Sequence, residues 1–186
     1  MNVSTYRKFI TLADGSRVLF RPLVHADQEK LVALFQQASA EDVLFLKEDV
    51  RNPELVGSWV RELNYDKVIP IVAVRNEEII GDASLHRRTG TKRHTAEVRI
   101  FLAPAFRGIG LGSVMVSELV ALAKNLGLRL LEGQIVVDQV NVIKAFRKLG
   151  FKRVADIDDY FMTQDGRTHD VALMILELKE EREYRF

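Results

Sequence analysis

The segment best suited to chemistry is the stretch 107–112, Arg-Gly-Ile-Gly-Leu-Gly, which follows a strand-like segment and begins a long amphipathic one. Its three glycines let backbone N–H groups approach a ligand without an intervening Cβ. The first amides of a helix have no intrahelical acceptor and lie at the positive end of the helix dipole. The spacing therefore predicts an anion site, best suited to a pyrophosphate.

Two common nucleotide motifs do not fit these glycines. A dinucleotide-binding G-x-G-x-x-G would need a glycine in place of Ser113 or Met115, and a P-loop would need a lysine after Gly112. Glu132 lies where a dinucleotide fold places its ribose-binding acid, but the third glycine is missing. The plainer alternative is a helix that merely begins in a glycine-rich loop, at a cost of about 1 kcal/mol for each glycine inside it. A phosphate-binding turn of another kind is favoured.

The same stretch resembles a known family. Segment 107–112 matches the R-x-x-G-x-G signature of the GNAT acetyltransferase superfamily, and Pro104 and the later Lys-Leu-Gly-Phe at 148–151 match its flanks. The resemblance extends from about residue 17 to residue 178. It implies that the chain uses acetyl-CoA as a co-substrate, without a metal, and passes the acetyl group to an amine.

The resemblance also implies where the coenzyme lies. The sheet would open after the strand before the turn, and the pantetheine arm would bond to backbone near Leu102. The pyrophosphate would lie on amides of residues 108–113, and the coenzyme's extra phosphate would meet Arg107, Lys144 or Arg147. The residues implied in coenzyme binding are Phe101, Leu102, Arg107, Gly108, Ile109, Gly110, Leu111, Gly112, Ser113, Gln139, Asn141, Phe146 and Arg147.

Acyl transfer to an amine needs the amine in its neutral form, which for a lysine is about one molecule in a thousand at neutral pH. A base is therefore required. Glu97 is the best candidate, because it lies mid-strand on the face opposite an apolar stripe. It resembles the strand glutamate that acts as base in the protein-lysine acetyltransferase branch of the family. The alternative is a surface glutamate paired with Arg99, and a backbone N–H near Leu102 would stabilise the tetrahedral oxyanion.

Two positions depart from the family pattern. Many members have a tyrosine as general acid for the leaving thiolate, where this chain has Phe146. Tyr160 on the next strand could supply that hydroxyl, although a tyrosine in a sheet is more often a packing residue. A family asparagine is replaced by Gln139, with Asn141 two residues later. A low-pKa thiolate can leave without an acid, so neither departure removes the activity.

Composition bounds the remaining possibilities. The chain has 186 residues, no cysteine and a formal net charge of +1, so disulfides, thiolate nucleophiles and cysteine-bound zinc are excluded. A charge balance this close to zero does not indicate nucleic acid or an anionic membrane as partner. The four histidines lack metal-ligand spacing. The N-terminus has no apolar signal stretch, and the longest apolar run, 68–74, is a strand length, which predicts a cytoplasmic protein.

The pattern of elements predicts a single domain over 1–186 with a core from about 17 to 178. Alternating and helical periodicities give the order β α α β β β α β α β β. Asn52 and Asp138 are predicted helix N-caps. We expect a mixed α/β fold with a central sheet of six to seven strands and about four helices. The resemblance implies that the segment 44–49 walls the acceptor groove and helps to set specificity.

Three functions compete. The first is an N-acetyltransferase acting on a primary amine, either a protein lysine or N-terminus or a small molecule. The second is a domain that binds acyl-CoA as a sensor and has lost catalysis, which Phe146 favours. The third is a nucleotide-binding fold of another kind, which would bind ATP or NAD more tightly than CoA. A homodimer is compatible with the sequence.

Overall fold

The computed structural model describes residues 3–12, 14–163 and 165–178. In this part of the chain, eight strands form one sheet and five α-helices pack on its faces. The strands are β1 Lys8–Thr11, β2 Arg17–Pro22, β3 Val68–Arg75, β4 Glu78–Arg87, β5 Thr95–Leu102, β6 Leu130–Val136, β7 Lys152–Met162 and β8 Thr168–Glu177. The helices are α1 Gln28–Phe35, α2 Ala40–Phe45, α3 Pro53–Arg61, α4 Leu111–Asn125 and α5 Val140–Lys148.

The strand order in the sheet is β1-β2-β3-β4-β5-β6-β8-β7. Every neighbouring pair is antiparallel except β5 and β6, which are parallel. A parallel pair needs a crossover, and α4 supplies it between these two strands. The glycine-rich turn lies at the start of this crossover helix, after β5.

Two cores cover the two faces of the sheet. On one face the stripe Leu111, Met115 and Leu119 of α4 packs against the strands, together with Phe146 of α5. On the other face α1 and α3 bury a smaller cluster that includes Phe101 of β5. Side chains alternate along β5, so its even positions face α4 and its odd positions, including Glu97, face α1 and α3.

The two predicted helix N-caps can be compared with the structure. Asn52 accepts the Glu54 N–H at 3.0 Å and Pro53 occupies the first turn, which confirms the predicted start of α3. The prediction of Asp138 as an N-cap was wrong. The N-cap of α5 is Gln139, and its side chain makes no capping hydrogen bond. The chain turns one residue later than the Asp suggested.

The predicted fold class is confirmed, with more elements than expected. The sheet has β1 in addition to the predicted strands, and α1, α2 and α3 are three separate helices before β3. Within the described residues, no helix is long and apolar enough to cross a bilayer. The predicted domain bounds 1–186 include residues 179–186, which lie outside the described residues.

Candidate active site

A gap opens between the parallel strands β5 and β6. Their pairing covers only three residue pairs and ends where Glu97 lies opposite Glu132. The N–H of Ala103 donates to the Ile80 carbonyl of β4 at 3.0 Å. Because backbone groups alternate sides along a strand, the N–H groups of Ile100 and Leu102 point away from β4 and into the gap. These amides could hold an extended chain or stabilise an oxyanion there.

The glycine-rich turn ends at the start of α4. Gly108 and Gly110 have φ of 76° and 89°, and a Cβ on either would meet no atom within 4 Å. These glycines are needed for backbone conformation, since other residues adopt such angles only with strain. Gly110 is the N-cap and has no capping side chain. The amides of Leu111, Gly112 and Ser113, with no intrahelical acceptor, can therefore bind an anion.

Arg107 anchors this turn. Its guanidinium donates to both carboxylate oxygens of Asp42 at 2.8 and 3.0 Å and to the Leu102 carbonyl at 3.0 and 3.1 Å. It also lies over the Phe101 ring, 5.4 Å from the centroid. Burial raises the pKa of Asp42, but the hydrogen bonds from Arg107 and Ser39 bring it below its ordinary value. The side chain predicted to meet a phosphate thus holds the turn against α2 in this state.

Glu97 lies at the point where the gap begins. It is only 2% exposed and forms ion pairs with Lys47 at 2.5 Å, Arg88 at 3.1 Å and Arg99 at 3.1 Å. Burial raises the pKa of this carboxyl, but Arg99 and Lys47 lower it below the ordinary value. Glu97 is therefore an ionised carboxylate near neutral pH. The pairing with Arg99 that the alternative interpretation proposed is present, but Glu97 is buried and not a surface residue.

The charged cluster bridges both strands of the gap. Lys47 also donates to Gln134 of β6 at 2.6 Å, and Gln134 in turn donates to Glu132 at 2.6 Å. Arg88 reaches Glu132 at 3.8 Å as well as Glu97. Side chains from the segment after α2, from the end of β4 and from both central strands thus meet over the start of the gap. An amine placed here would lie beside a carboxylate at the start of the gap.

A cavity of about 440 Å³ extends from this cluster beneath α1 and α3. Its wall includes the rings of Phe35, Trp59 and Phe101, with Lys47 among the residues lining it. Within the predicted acceptor segment 44–49, Leu46, Lys47 and Glu48 are among the described residues that line the cavity. A cavity that joins aromatic walls to a charged end is typical of small-molecule sites.

One side of the cavity is a polar stripe along β4, formed by Asp82, Ser84 and His86. Burial raises the pKa of Asp82 to about 7, and among the described residues its Oδ1 has no hydrogen-bond partner. Burial, with the nearby positive charge of Arg99 second, lowers the pKa of His86 to about 4, so this imidazole is neutral near pH 7. Its Nε2 lies 3.1 Å from the Ser84 hydroxyl.

Sequence reasoning did not name Lys47, Asp82 or His86 as individual site residues, although Lys47 lies in the predicted acceptor segment 44–49. The alternation of Asp82, Ser84 and His86 within an apolar strand was a usable signal, because polar residues at every second position face the same side. Lys47 carried no such signal, since its partners are 50 and 87 residues away in the sequence. Within the described residues, no cluster of three or more His, Asp or Glu could hold a metal ion.

Among the described residues that line the cavity, none is one of the residues predicted on α5 and β7. Tyr160 is 49% exposed and stacks on Phe161 at 5.7 Å, outside the cavity lining. Phe146 is buried between Phe151, at 4.8 Å, and Gly133, where a Cβ would come within 2.8 Å of its ring. Other residues predicted to bind the coenzyme also lie on α5. Gln139 and Asn141 are at its start, and the exposed Lys144 and Arg147 are further along the helix.

Comparisons with known proteins agree with this architecture. The family model described as "Acetyltransferase (GNAT) domain" matches residues 17–152. YwnH of Bacillus subtilis, provisionally named a phosphinothricin acetyltransferase, is 26% identical over 156 residues, which are 83% of this chain and 95% of that protein.

Solved structures superpose over most of their length. Ribosomal-protein-alanine N-acetyltransferase from Brucella melitensis is 25% identical, with a TM-score of 0.76 over 86% of this chain and 99% of its own. YncA from Salmonella typhimurium, provisionally named an acetyltransferase and solved with its cofactor acetyl-CoA, is 22% identical. It has a TM-score of 0.75 over 89% of this chain and 96% of its own.

Proposed function

The chain belongs to the acetyltransferase (GNAT) family, whose model matches most of its length, and we propose that it acetylates the primary amine of a small molecule. It is an acyl-CoA-dependent acyltransferase with acetyl-CoA as donor, as its family is. The observation that carries the proposal is the cavity lined by Lys47 and Arg99, two of the ion-pair partners of Glu97 at the start of the gap. Its volume of about 440 Å³ exceeds what a single lysine side chain would fill.

The proposed reaction begins when the acceptor displaces the Lys47 ammonium from Glu97. The Glu97 carboxylate then takes a proton from the acceptor, directly or through a water, and the neutral amine attacks the thioester carbonyl carbon. Amides facing the gap, at Ile100 and Leu102, would stabilise the oxyanion. The coenzyme thiolate leaves as the carbon–sulfur bond breaks, either unassisted or with Tyr160 as the remaining candidate acid.

A protein amine is the second candidate acceptor. The strand position of Glu97 resembles that of the protein-lysine branch, and one solved relative is named for ribosomal-protein alanine, whereas another relative is named for phosphinothricin. A sensor without catalysis remains the alternative for which Phe146 is the support. These acceptors differ in size, so the cavity should discriminate among them.

The experiment is turnover with acetyl-CoA against three panels: small amines and amino acids, peptides with N-terminal alanine, and peptides with an internal lysine. We expect kcat/KM to be highest for a small amine with an apolar or aromatic body, because such a body fits the cavity walls. Faster acetylation of either peptide class would overturn the small-molecule acceptor. Calorimetric binding of CoA with no turnover on any panel would favour the sensor.

Gly110→Ala tests the phosphate-binding turn. A Cβ at φ of 89° costs about 1 kcal/mol in backbone strain, and its relief would tilt the first amides of α4 away from the pyrophosphate. We expect roughly tenfold weaker binding of acetyl-CoA by calorimetry. Gly127→Ala, at φ of 71° just past the other end of α4, is the matched control. Equal loss of affinity in both variants would contradict this role for the turn.

A further inference from the structure

The Lys47 ammonium occupies the place where the proposed reaction puts the acceptor amine. It lies 2.5 Å from the Glu97 carboxylate on β5 and 2.6 Å from the Gln134 amide oxygen on β6. Glu97 belongs to the last paired position of the two strands, and Gln134 lies two residues beyond it. The side chain thus crosses the gap at its closed end. Its nitrogen is a primary amine of the chemical class that the enzyme acetylates.

Lys47 is also held there by a third strand. Its Nζ lies 5.6 Å from the centroid of the Phe161 ring of β7, a distance at which a cation is attracted to the ring face. Glu97, Gln134 and Phe161 therefore orient one amine beside the base before any acceptor enters. A diffusing acceptor would have to lose translational and rotational entropy to reach the same orientation.

We propose that Lys47 is a self-acetylation site, modified in cis by the acetyl-CoA bound in the same molecule. The inference rests on the proposed function, since it uses the same donor and the same base. Its substrate is the enzyme's own lysine rather than a diffusing amine.

The step balances with the groups already named. Glu97 takes one proton from the Lys47 ammonium, and the neutral nitrogen attacks the carbonyl carbon of the thioester. The carbon–nitrogen bond forms, the carbon–sulfur bond breaks, and the electron pair leaves on the coenzyme sulfur. The second nitrogen proton goes to that thiolate, and the proton on Glu97 returns to solvent. The products are N-acetyl-lysine, CoA with a free thiol and one proton.

Acetylation would change the electrostatics of the base. It removes a positive charge and an ion-pair donor from Glu97. The charged and titratable groups still facing Glu97 would be Arg88 and Arg99, with His86 on β4 and Glu132 on β6. With Lys47 neutral, burial raises the pKa of Glu97 against one fewer opposing cation. The modified enzyme should therefore have a stronger base and a vacated acceptor position, which predicts a lag before full turnover.

The test is incubation of the full chain with acetyl-CoA alone, followed by intact mass and peptide mapping. We expect Lys47 to gain one acetyl group with a first-order rate that does not depend on protein concentration. Glu97→Gln should slow this modification by about 10²–10⁴-fold. Lys124, an exposed lysine in the last turn of α4 and outside the cavity lining, is the matched control, and Lys124→Arg should leave Lys47 modification unchanged. Lys47→Arg should abolish both the modification and the lag.

Three results would overturn the inference. Modification of Lys47 at an equal rate in Glu97→Gln would indicate non-enzymatic acetylation. A rate that rises with protein concentration would indicate transfer between molecules. An unmodified Lys47 in an enzyme that binds acetyl-CoA and acetylates free amines would overturn self-acetylation alone, whereas loss of both binding and turnover would also overturn the proposed function.

Discussion

Glu97→Gln should lower kcat for amine acetylation by about 10²–10⁴-fold while leaving the affinity for acetyl-CoA within about twofold of wild type. That range is the usual contribution of a positioned general base. The amide keeps the shape and size of the side chain but cannot take a proton. The coenzyme site should be spared, because it is expected to lie on the backbone of the turn and the gap. The measurement is steady-state kinetics with calorimetric binding of acetyl-CoA.

The same substitution should also weaken the fold. Glu97 is the shared counter-ion of Lys47, Arg88 and Arg99, and its loss leaves three cations close together. Because these cations are partly exposed, we expect a cost of about 1–3 kcal/mol in the free energy of unfolding. Kinetic assays must therefore be made well below the unfolding temperature of the variant.

Glu132→Gln is the matched control for this prediction. Glu132 lies opposite Glu97 in the sheet and contacts the same network through Gln134 and Arg88. Its substitution removes a carboxylate from the cluster but leaves the proposed base. We expect a loss of kcat below about tenfold. Equal losses in the two variants would show that the charge of the cluster, and not proton transfer to Glu97, supports turnover.

The local parts of the fold could be predicted from sequence because their causes are local. Alternation along β5 placed Glu97 on the face opposite the apolar stripe, and a capping residue with a following proline fixed the start of α3. The short strand β1 gave no such pattern. Its four residues are mostly exposed, and it is a strand because it pairs with β2. That pairing is a tertiary fact which periodicity cannot supply.

The candidate site divides in the same way. The glycine-rich turn and Glu97 lie within one stretch of chain and were found together. The environment of Glu97 was predictable only in part, because Arg99 lies on the same strand and was named, whereas Lys47 comes from a segment distant in sequence. Arg107 shows the converse. Its motif position was recognised, but its partner Asp42 comes from a helix that the motif does not include.

Asp82→Asn should stabilise the protein at pH 8 by about 2–4 kcal/mol. Burial raises the pKa of Asp82 from 3.8 to about 7, and one pKa unit corresponds to about 1.4 kcal/mol. In the unfolded chain the carboxyl ionises freely above its ordinary pKa, whereas in the folded chain ionisation is resisted up to about pH 7. The wild type therefore loses stability as pH rises from about 4 to 7 and no further above it. Chemical denaturation of both proteins across this range measures the difference.

Asp156→Asn is the control for Asp82→Asn, because it should change stability in the opposite direction. Asp156 is an exposed aspartate whose pKa is lowered by a hydrogen bond from Arg153. Asp156→Asn should therefore be less stable than wild type near neutral pH, and this difference in the free energy of unfolding should disappear as pH falls. The stability difference between Asp82→Asn and wild type has the opposite sign, and it also disappears as pH falls toward 4. A difference that does not change with pH would contradict the ionisation of Asp82 as its cause. Among the described residues, one oxygen of Asp82 on the cavity wall has no hydrogen-bond partner, and an acceptor bound in the cavity could donate to it. If an acceptor raises the unfolding temperature of wild type more than that of Asp82→Asn, that acceptor carries the group that donates a hydrogen bond to Asp82.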